Sequence, residues 1–405
     1  MSTVIRLGDV AEFVRGITFK PTDVVPADTP GSVPCMRTKN VQKELDLSDV
    51  WSVDSGFVRR SEQYLKAGDI LVSSANSWNL VGKCCWIPES ANGATFGGFI
   101  AALRPDPDRI DPRYLYHWFS SPRTQATVRS FGRQTTNISN LDFARCLRMD
   151  IPLPGRTGQR HIAGVLDRVN ALRVKRREAI GLLDDLSQSI FLDMFGDPAR
   201  NPKNWPMSKI GNLVESANYG TSEKASSVGD LPVLRMGNIT YSGAVDLTDL
   251  KFMDRATTDE KYLVRRGDVL FNRTNSAELV GKAAIYRGSD ELAFAGYLVR
   301  ARVNGDNNAE YLAAFLNTRY AKRVLRGMCK SIVGMANINA KELQSISIAE
   351  PPRWLQDEFA GRIEALESLR CAHSQHLTEL DALFSSLQNR AFRGELSLSA
   401  ATSAA

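Results

Sequence analysis

A heptad seam that occurs twice constrains this chain more than any other feature. Between residues 159 and 195, the positions Ile162, Leu166, Val169, Arg173, Arg176, Ile180, Leu183, Ser187, Ile190 and Met194 keep an unbroken 4,3,4,3 spacing. That spacing lines up one stripe of a helix that packs on a partner helix. A constant 197 positions later the stripe returns at Phe359, Ile363, Leu366, Arg370, His373, Leu377, Leu380, Phe384, Leu387 and Ala391, and its polar interruption returns with it. One such segment would suit an amphipathic helix lying on its own domain. Two in one register predict a paired, self-complementary element. A chain of two equal halves closes on itself most readily about a pseudo-two-fold axis, so the helices are expected to run antiparallel.

The remaining sequence falls into two mixed regions. At 405 residues the chain is too long for one simple core and suits two to four units. Residues 1–155 read as short strands, Gly/Pro/Asn turns and a few helices: a strand at 69–73 follows the turn at Gly68, another at 99–103 follows Gly97 and Gly98, and 112–131 has a helical pattern. The closely set prolines of IPLPG at 151–155 end regular structure before the first seam helix, 156–195. A turn-rich linker at 196–206 leads to a second mixed domain, 207–352, which closes on Pro351 and Pro352; the second helix takes 353–395 and an Ala/Ser-rich tail 396–405.

The two mixed domains are themselves a divergent repeat. KAGDILVSSANSWNLVGK (66–83) aligns without a gap on RRGDVLFNRTNSAELVGK (265–282), and VPCMRTKNV (33–41) on LPVLRMGNI (231–239). Phe96/Phe294, Gly98/Gly296, Tyr114/Tyr311 and the Asn-Ile pairs at 137/138 and 337/338 keep offsets between 197 and 200. The expected architecture is therefore α+β: two mixed α/β domains separated by two long helices that form an antiparallel coiled coil, with a pseudo-two-fold internal repeat.

Composition narrows the class. With 43% hydrophobic and 24% charged residues the chain is not disordered by default. It has neither an apolar run of membrane-spanning length nor a signal-peptide pattern at its start, so the expected location is the cytoplasm. Six cysteines without a C-x-x-C pair suit a reducing compartment. A net charge of +6 and a pI near 9.0 permit a polyanionic partner. The motifs of catalysis are missing. EPPR at 350–353 lacks the amide and the aromatic residue that hold a flipped adenine, and no glycine-rich cofactor loop accompanies it. Gly82-Lys83 and Gly281-Lys282 have no upstream glycine at the phosphate-loop spacing and read as turns. His373 and His376 lie on or beside the seam, where packing is a better account of them than metal ligation.

Duplicated domains, each followed by IPLP...QRHIAGVLDRV or EPPRWLQDEFAGRIEAL and then by LLDDLSQSIFLDMFGD or LDALFSSLQNRAFRGEL, resemble the specificity subunit of type I restriction-modification systems over nearly the whole chain. The resemblance implies two target-recognition domains joined by a coiled coil, each reading one half of a bipartite site on double-stranded DNA. It also implies two methyltransferase subunits and ATP-driven restriction subunits as partners. S-adenosylmethionine, ATP and Mg would then sit on those partners, with no cofactor and no catalytic role on this chain and no membrane attachment. An autonomous sequence-specific DNA binder is the alternative from the same residues, and an enzyme with an unrecognised site is a third.

The internal repeat also sorts candidate DNA contacts. Two half-sites share a phosphate backbone and differ in bases, so agreement between halves should mark scaffold or phosphate contact, and exposed polar disagreement should mark base reading. Agreement falls at Arg37/Arg235, Asn40/Asn238, Asn76/Asn275 and Lys83/Lys282. The asparagines would equally serve as turn caps. Disagreement falls at Ser73/Asn272, Ser74/Arg273, Trp78/Ala277 and Lys39/Gly237, and in Arg133-Gln134-Thr135-Thr136 opposite Val333-Gly334-Met335-Ala336. Arg pairs with guanine and Asn or Gln with adenine in the major groove, so Arg133, Gln134, Asn272 and Arg273 carry suitable groups. Off the seam, Leu172, Leu182, Leu186, Phe191, Leu369 and Leu383 are expected to need a further surface.

Overall fold

The computed structural model describes residues 3–134, 138–276, 279–332 and 335–396. Two continuous α-helices, Arg156–Phe195 and Arg353–Phe392, run through it. The chain divides into two compact units, Met1–Lys175 with Leu377–Ala405 and Arg176–His376. The division cuts across both long helices, so each unit joins one mixed domain to the leading half of one helix and the trailing half of the other.

The first unit is built on an antiparallel four-stranded sheet in the order Ala11–Arg15, Ile100–Pro105, Ile70–Ser73, Cys84–Trp86. Every residue of Ile70–Ser73 is buried, as an interior strand requires. A second sheet, Val24–Val25, Trp51–Asp54, Ser32–Met36, Thr95–Phe96, ends in a parallel pair. The helix Pro112–Phe119 starts cleanly because Asp111 accepts hydrogen bonds from the N–H groups of Arg113 and Tyr114 and Pro112 donates none. Tyr114 donates from its hydroxyl to the carbonyl of Pro152 at 2.5 Å, tying this helix to the strand Asp150–Leu153 that pairs with Thr3–Arg6. The second unit repeats the plan. Val214–Tyr219, Leu298–Val303, Val269–Asn272 and Ala283–Ile285 form its main sheet, and Tyr311 donates to the carbonyl of Ala349 at 2.6 Å.

A buried glutamine seats each long helix on its domain. Gln159 accepts from the N–H of Asp111 at 2.7 Å and donates to the carbonyl of Pro154 at 2.8 Å. Gln356 accepts from the N–H of Asn308 at 2.8 Å and donates to the carbonyl of Pro351 at 2.8 Å and to Oδ1 of Asn307 at 2.9 Å. At 2% and 0% exposure, both satisfy backbone groups that burial would otherwise leave orphaned.

Within the first unit, Ile162, Ala163 and Leu166 share a core with Leu7, Tyr114, Ile151 and Ala391. Further along, Arg173 pairs with Asp381 at 2.5 Å. Rising numbers on one helix meet falling numbers on the other, so these segments are antiparallel. The second unit gives the same order: Phe191 and Phe195 meet Phe359 edge to face, and Arg176 meets Nδ1 of His373 at 2.8 Å. Ile162, Leu166, Val169, Phe359 and Ile363 are buried, while Ile180, Leu183, Ile190, Leu366, Leu377, Leu380 and Leu387 are half-buried. Of the polar seam positions, Arg173 pairs across the helices with Asp381 and Arg176 with His373, while Arg370 pairs with Glu367 of its own helix.

Phe191 departs from the expectation that it needs a further surface. It is 2% exposed, because near its end the helix also packs on the domain core through Tyr311, which reaches residues off the seam. The other off-seam leucines stay exposed: Leu172 and Leu383 in the first unit, and Leu182, Leu186 and Leu369 in the second. Among the described residues, no helix is long and apolar enough to cross a membrane.

Candidate nucleic-acid interface

The residues on which the halves agree brace loops. The guanidinium of Arg37 lies 3.8 Å from the centroid of the Trp51 ring and donates to the carbonyl of Asp49 at 2.9 Å. Asn40, buried, donates to the carbonyls of Asp46 and Asp49. Arg235 and Asn238 repeat the arrangement on Asp249 and Asp246. Lys39 is held by the Asp49 carboxylate at 2.7 Å, and the two cations keep that carboxyl below its ordinary range. Lys83 donates to Oε1 of Gln42 at 2.5 Å. Asn76 and Asn275 each accept from the next backbone N–H at 2.8 Å.

Two expected contacts lie inside the protein. Lys282 is 9% exposed beneath the turn Met236–Asn238, where Nζ donates to the carbonyl of Met236 at 3.3 Å and burial lowers its pKa. It does not present its charge to a phosphate. Asn272 is fully buried in the central strand Val269–Asn272, with no hydrogen-bond partner for either amide atom among the described residues. Equivalence in the repeat marks the same place in the fold, and that place is interior in both halves: Ser73 is 1% exposed.

The remaining candidates converge on one edge of each domain. In the first unit Ala75–Asn76 pairs with Ser139–Leu141, which pairs with Gly132–Gln134, so Asn76, Ser139 and Gln134 lie in register across a small sheet. Arg133 extends from it with a side chain 78% exposed and an ion pair to Asp142 at 2.6 Å. Trp78 is 57% exposed. The side chain of Gln134, and Thr135, Thr136 and Ala277 entirely, lie outside the described residues, as does much of 333–336. In the second unit Thr274–Asn275 pairs with Met335–Asn337, which pairs with Lys330–Ile332. Arg273, half-buried at the head of that strand, lies over the ring of Tyr219 at 4.7 Å and donates to the carbonyl of Gly296 at 3.2 Å.

Sequence comparison of the halves passed over a basic helix. Arg319–Met328 presents Arg319, Arg323 and Arg326 to solvent around a cleft of about 830 Å³ in the second unit. Lys322 at its centre donates to the carbonyl of Gly281 and to Asn317, and burial, with Lys282 and Arg326 nearby, pushes its pKa down to about 7. The first unit has Gln125 at that place. A periodic search for positive charge would have found the helix, which spaces its cations at i, i+3, i+4 and i+7. Burial pushes the thiols of Cys35, Cys85 and Cys146 up to about 12, which makes these three unreactive. Among the described residues no group of three metal-ligating side chains is assembled.

Comparison with known proteins matches the type I restriction modification DNA specificity domain to residues 2–180 and again to 202–380. The chain is 25% identical to the type I restriction enzyme EcoKI specificity subunit of Escherichia coli K12 over 417 residues, covering 97% of this chain and 89% of that one. It is 26% identical to a putative type I restriction enzyme MjaX specificity subunit of Methanocaldococcus jannaschii, covering 90% and 87%. Among solved structures it resembles the type I restriction-modification S subunit of M. genitalium, with a TM-score of 0.59 at 14% identity over 97% of this chain and 96% of that one. A chain from a study of complex assembly and conformational transition in the type I R-M system gives 0.53 at 19% identity, with 98% of both chains covered.

Proposed function

This chain belongs to the type I restriction-modification DNA specificity family, and from that membership we propose how it reads DNA and what it assembles with. It is a DNA-recognition subunit with two recognition domains. In our reading each domain reads one half of a bipartite, asymmetric site, and the two long helices set the length of unread DNA between the halves. The observation that carries this reading is a shared scaffold with diverged edges: Arg37/Arg235 and Asn40/Asn238 make the same loop braces in both units. By contrast the halves differ at Ser74/Arg273, Lys39/Gly237 and Trp78/Ala277. Equal scaffolds with unequal polar edges suit two half-sites of unequal sequence.

The chain itself is non-catalytic in this reading. Two methyltransferase subunits, which bring S-adenosylmethionine, and restriction subunits, which bring ATP and Mg, assemble on it in the cytoplasm. The exposed leucines of the long helices support such assembly, since apolar side chains arrayed along a helix seek a partner surface. Replacing residues 207–352 by the matching segment of a relative, then mapping methylated adenines in a host that carries the whole system, tests the reading. One half of the methylated sequence should change and the other persist. A change in both halves, or in neither, would overturn it.

A further inference from the structure

Phe99 and Tyr297 are large aromatic side chains, 65% and 51% exposed, at equivalent positions of the two halves. Each occupies the third position of a β-turn, closed by Ile100 N–H to the carbonyl of Gly97 at 3.1 Å and by Leu298 N–H to that of Ala295 at 2.9 Å. The turns are pinned from behind. Ile17 and Thr221 donate to the carbonyls of Phe96 and Phe294 at 2.8 and 2.9 Å, while Gly97 and Ala295 donate to those of Met36 and Leu234, both at 2.9 Å. The chain passes so close there that a Cβ on Gly16 would overlap the carbonyls of Phe96 and Gly97, and one on Gly220 those of Phe294 and Ala295. Among the described residues neither exposed ring pairs with another aromatic ring within its unit.

These turns share an edge with the diverged residues. The carbonyl of Phe99 accepts from Ser74 and Ala75, both at 3.0 Å, and that of Tyr297 from Arg273 at 3.1 Å. Each ring therefore stands on a pinned turn beside the strand whose polar side chains differ between the halves. We propose that Phe99 and Tyr297 pack against base edges of duplex DNA in the major groove, as the apolar contact common to both recognition domains; this rests on the DNA-recognition reading above. An aromatic on a pinned turn suits that task, because it offers area to a thymine methyl while the backbone that carries it is already ordered. The Tyr297 hydroxyl gives the second domain a donor and acceptor that Phe99 lacks. Duplex DNA fits better than a protein partner because the neighbours are an arginine and polar residues that differ between the halves.

The test uses the complex assembled with its methyltransferase subunits, and binding to duplexes carrying each single base-pair change or thymine replaced by uracil. Phe99→Ala should weaken binding by about tenfold or more and flatten discrimination in one half-site only, and Tyr297→Ala should do so in the other. Phe99→Leu should retain most of the affinity, and the thymine-to-uracil penalty should shrink in the alanine variants. Wild-type discrimination left intact by both alanine variants overturns this inference alone. So does loss of assembly with the methyltransferase subunits in light scattering, which would place the rings in a protein interface. A wild-type complex that binds all duplexes alike overturns the DNA-recognition reading itself.

Discussion

Nε2 of His117 lies 2.8 Å from Oδ1 of Asp167, so a buried imidazole of the first recognition domain is joined to a carboxylate on the first long helix. Arg113 donates to the same oxygen at 2.7 Å, and Gln388 of the second long helix donates to the carbonyl of His117 at 2.8 Å. Burial lowers the pKa of His117 more than Asp167 raises it, which keeps the ring neutral. For Asp167 burial alone would raise the pKa, but the hydrogen bond from His117 and the charge of Arg113 outweigh it and hold the carboxyl below its ordinary value.

Both shifts make the first unit acid-sensitive. Below the ordinary histidine value of 6.5 the unfolded chain binds a proton that folded His117 refuses, so stability falls with pH from there. Asp167 contributes above the ordinary carboxylate value of 3.8, and its share is lost as pH drops through its lower folded value. Asp167→Asn should cost about 1–2 kcal/mol at pH 7, at the low end for hydrogen bonds to charged groups because the carboxylate is 36% exposed and screened. Hydrogen exchange of Pro112–Phe119 across pH reads this out. Protection that is unaffected by the substitution and constant from pH 7 to 4 would contradict it.

The salt dependence of DNA binding should separate buried from exposed cations. Lys282, 9% exposed, releases no counterion, so Lys282→Met should leave the salt slope unchanged. Arg133→Ala, at a side chain 78% exposed, should alter base preference in one half-site and leave the other untouched. Titrations of the assembled complex at several salt concentrations decide this; a shallower slope for Lys282→Met would mean that the Met236–Asn238 turn opens on DNA.

How far this arrangement could be read from the sequence depends on what kind of signal each part leaves. The seam was legible because period 3.5 is a property of residues close in sequence, and the structure turns Ile162, Leu166, Phe359 and Ile363 inward. Phe191 was misread because its burial comes from Tyr311, 120 positions away, which no local period records. Repeat comparison found equivalent places without revealing their depth, hence the misplacing of Asn272 and Lys282. Nor does an aromatic kept in both halves, as at Phe99 and Tyr297, carry any sign in the sequence that it is exposed.

The apolar faces of the long helices make a prediction about assembly. In the second unit Leu182 is 68% exposed, Leu369 52% and Trp354 66%. The isolated chain should be poorly soluble, and its melting temperature should rise when the methyltransferase partner covers such side chains. Leu182→Gln with Leu369→Gln should improve the solubility of the free chain and abolish most of that rise. A monodisperse chain whose melting temperature the partner does not move would count against it.

The long helices also offer a test of how the unread spacer is measured. Inserting four residues after Ile180 lengthens the first helix by about 6 Å and advances it roughly 40° beyond a full turn. The insertion breaks the heptad phase, although a four-residue stutter can be absorbed by local unwinding. In the proposed reading base contacts come from side chains within each recognition domain, such as Arg133 opposite Asn140 in the strand Ser139–Leu141, and their geometry does not depend on helix length. The altered protein should therefore keep both half-site sequences and prefer a spacer about one or two base pairs longer, at a rise of ~3.4 Å per base pair. Methylation mapping in a host carrying the whole system reads both properties at once. A changed half-site with the spacer unaltered would show that the helices are not the ruler, and that the separation is set by the subunits assembled around them.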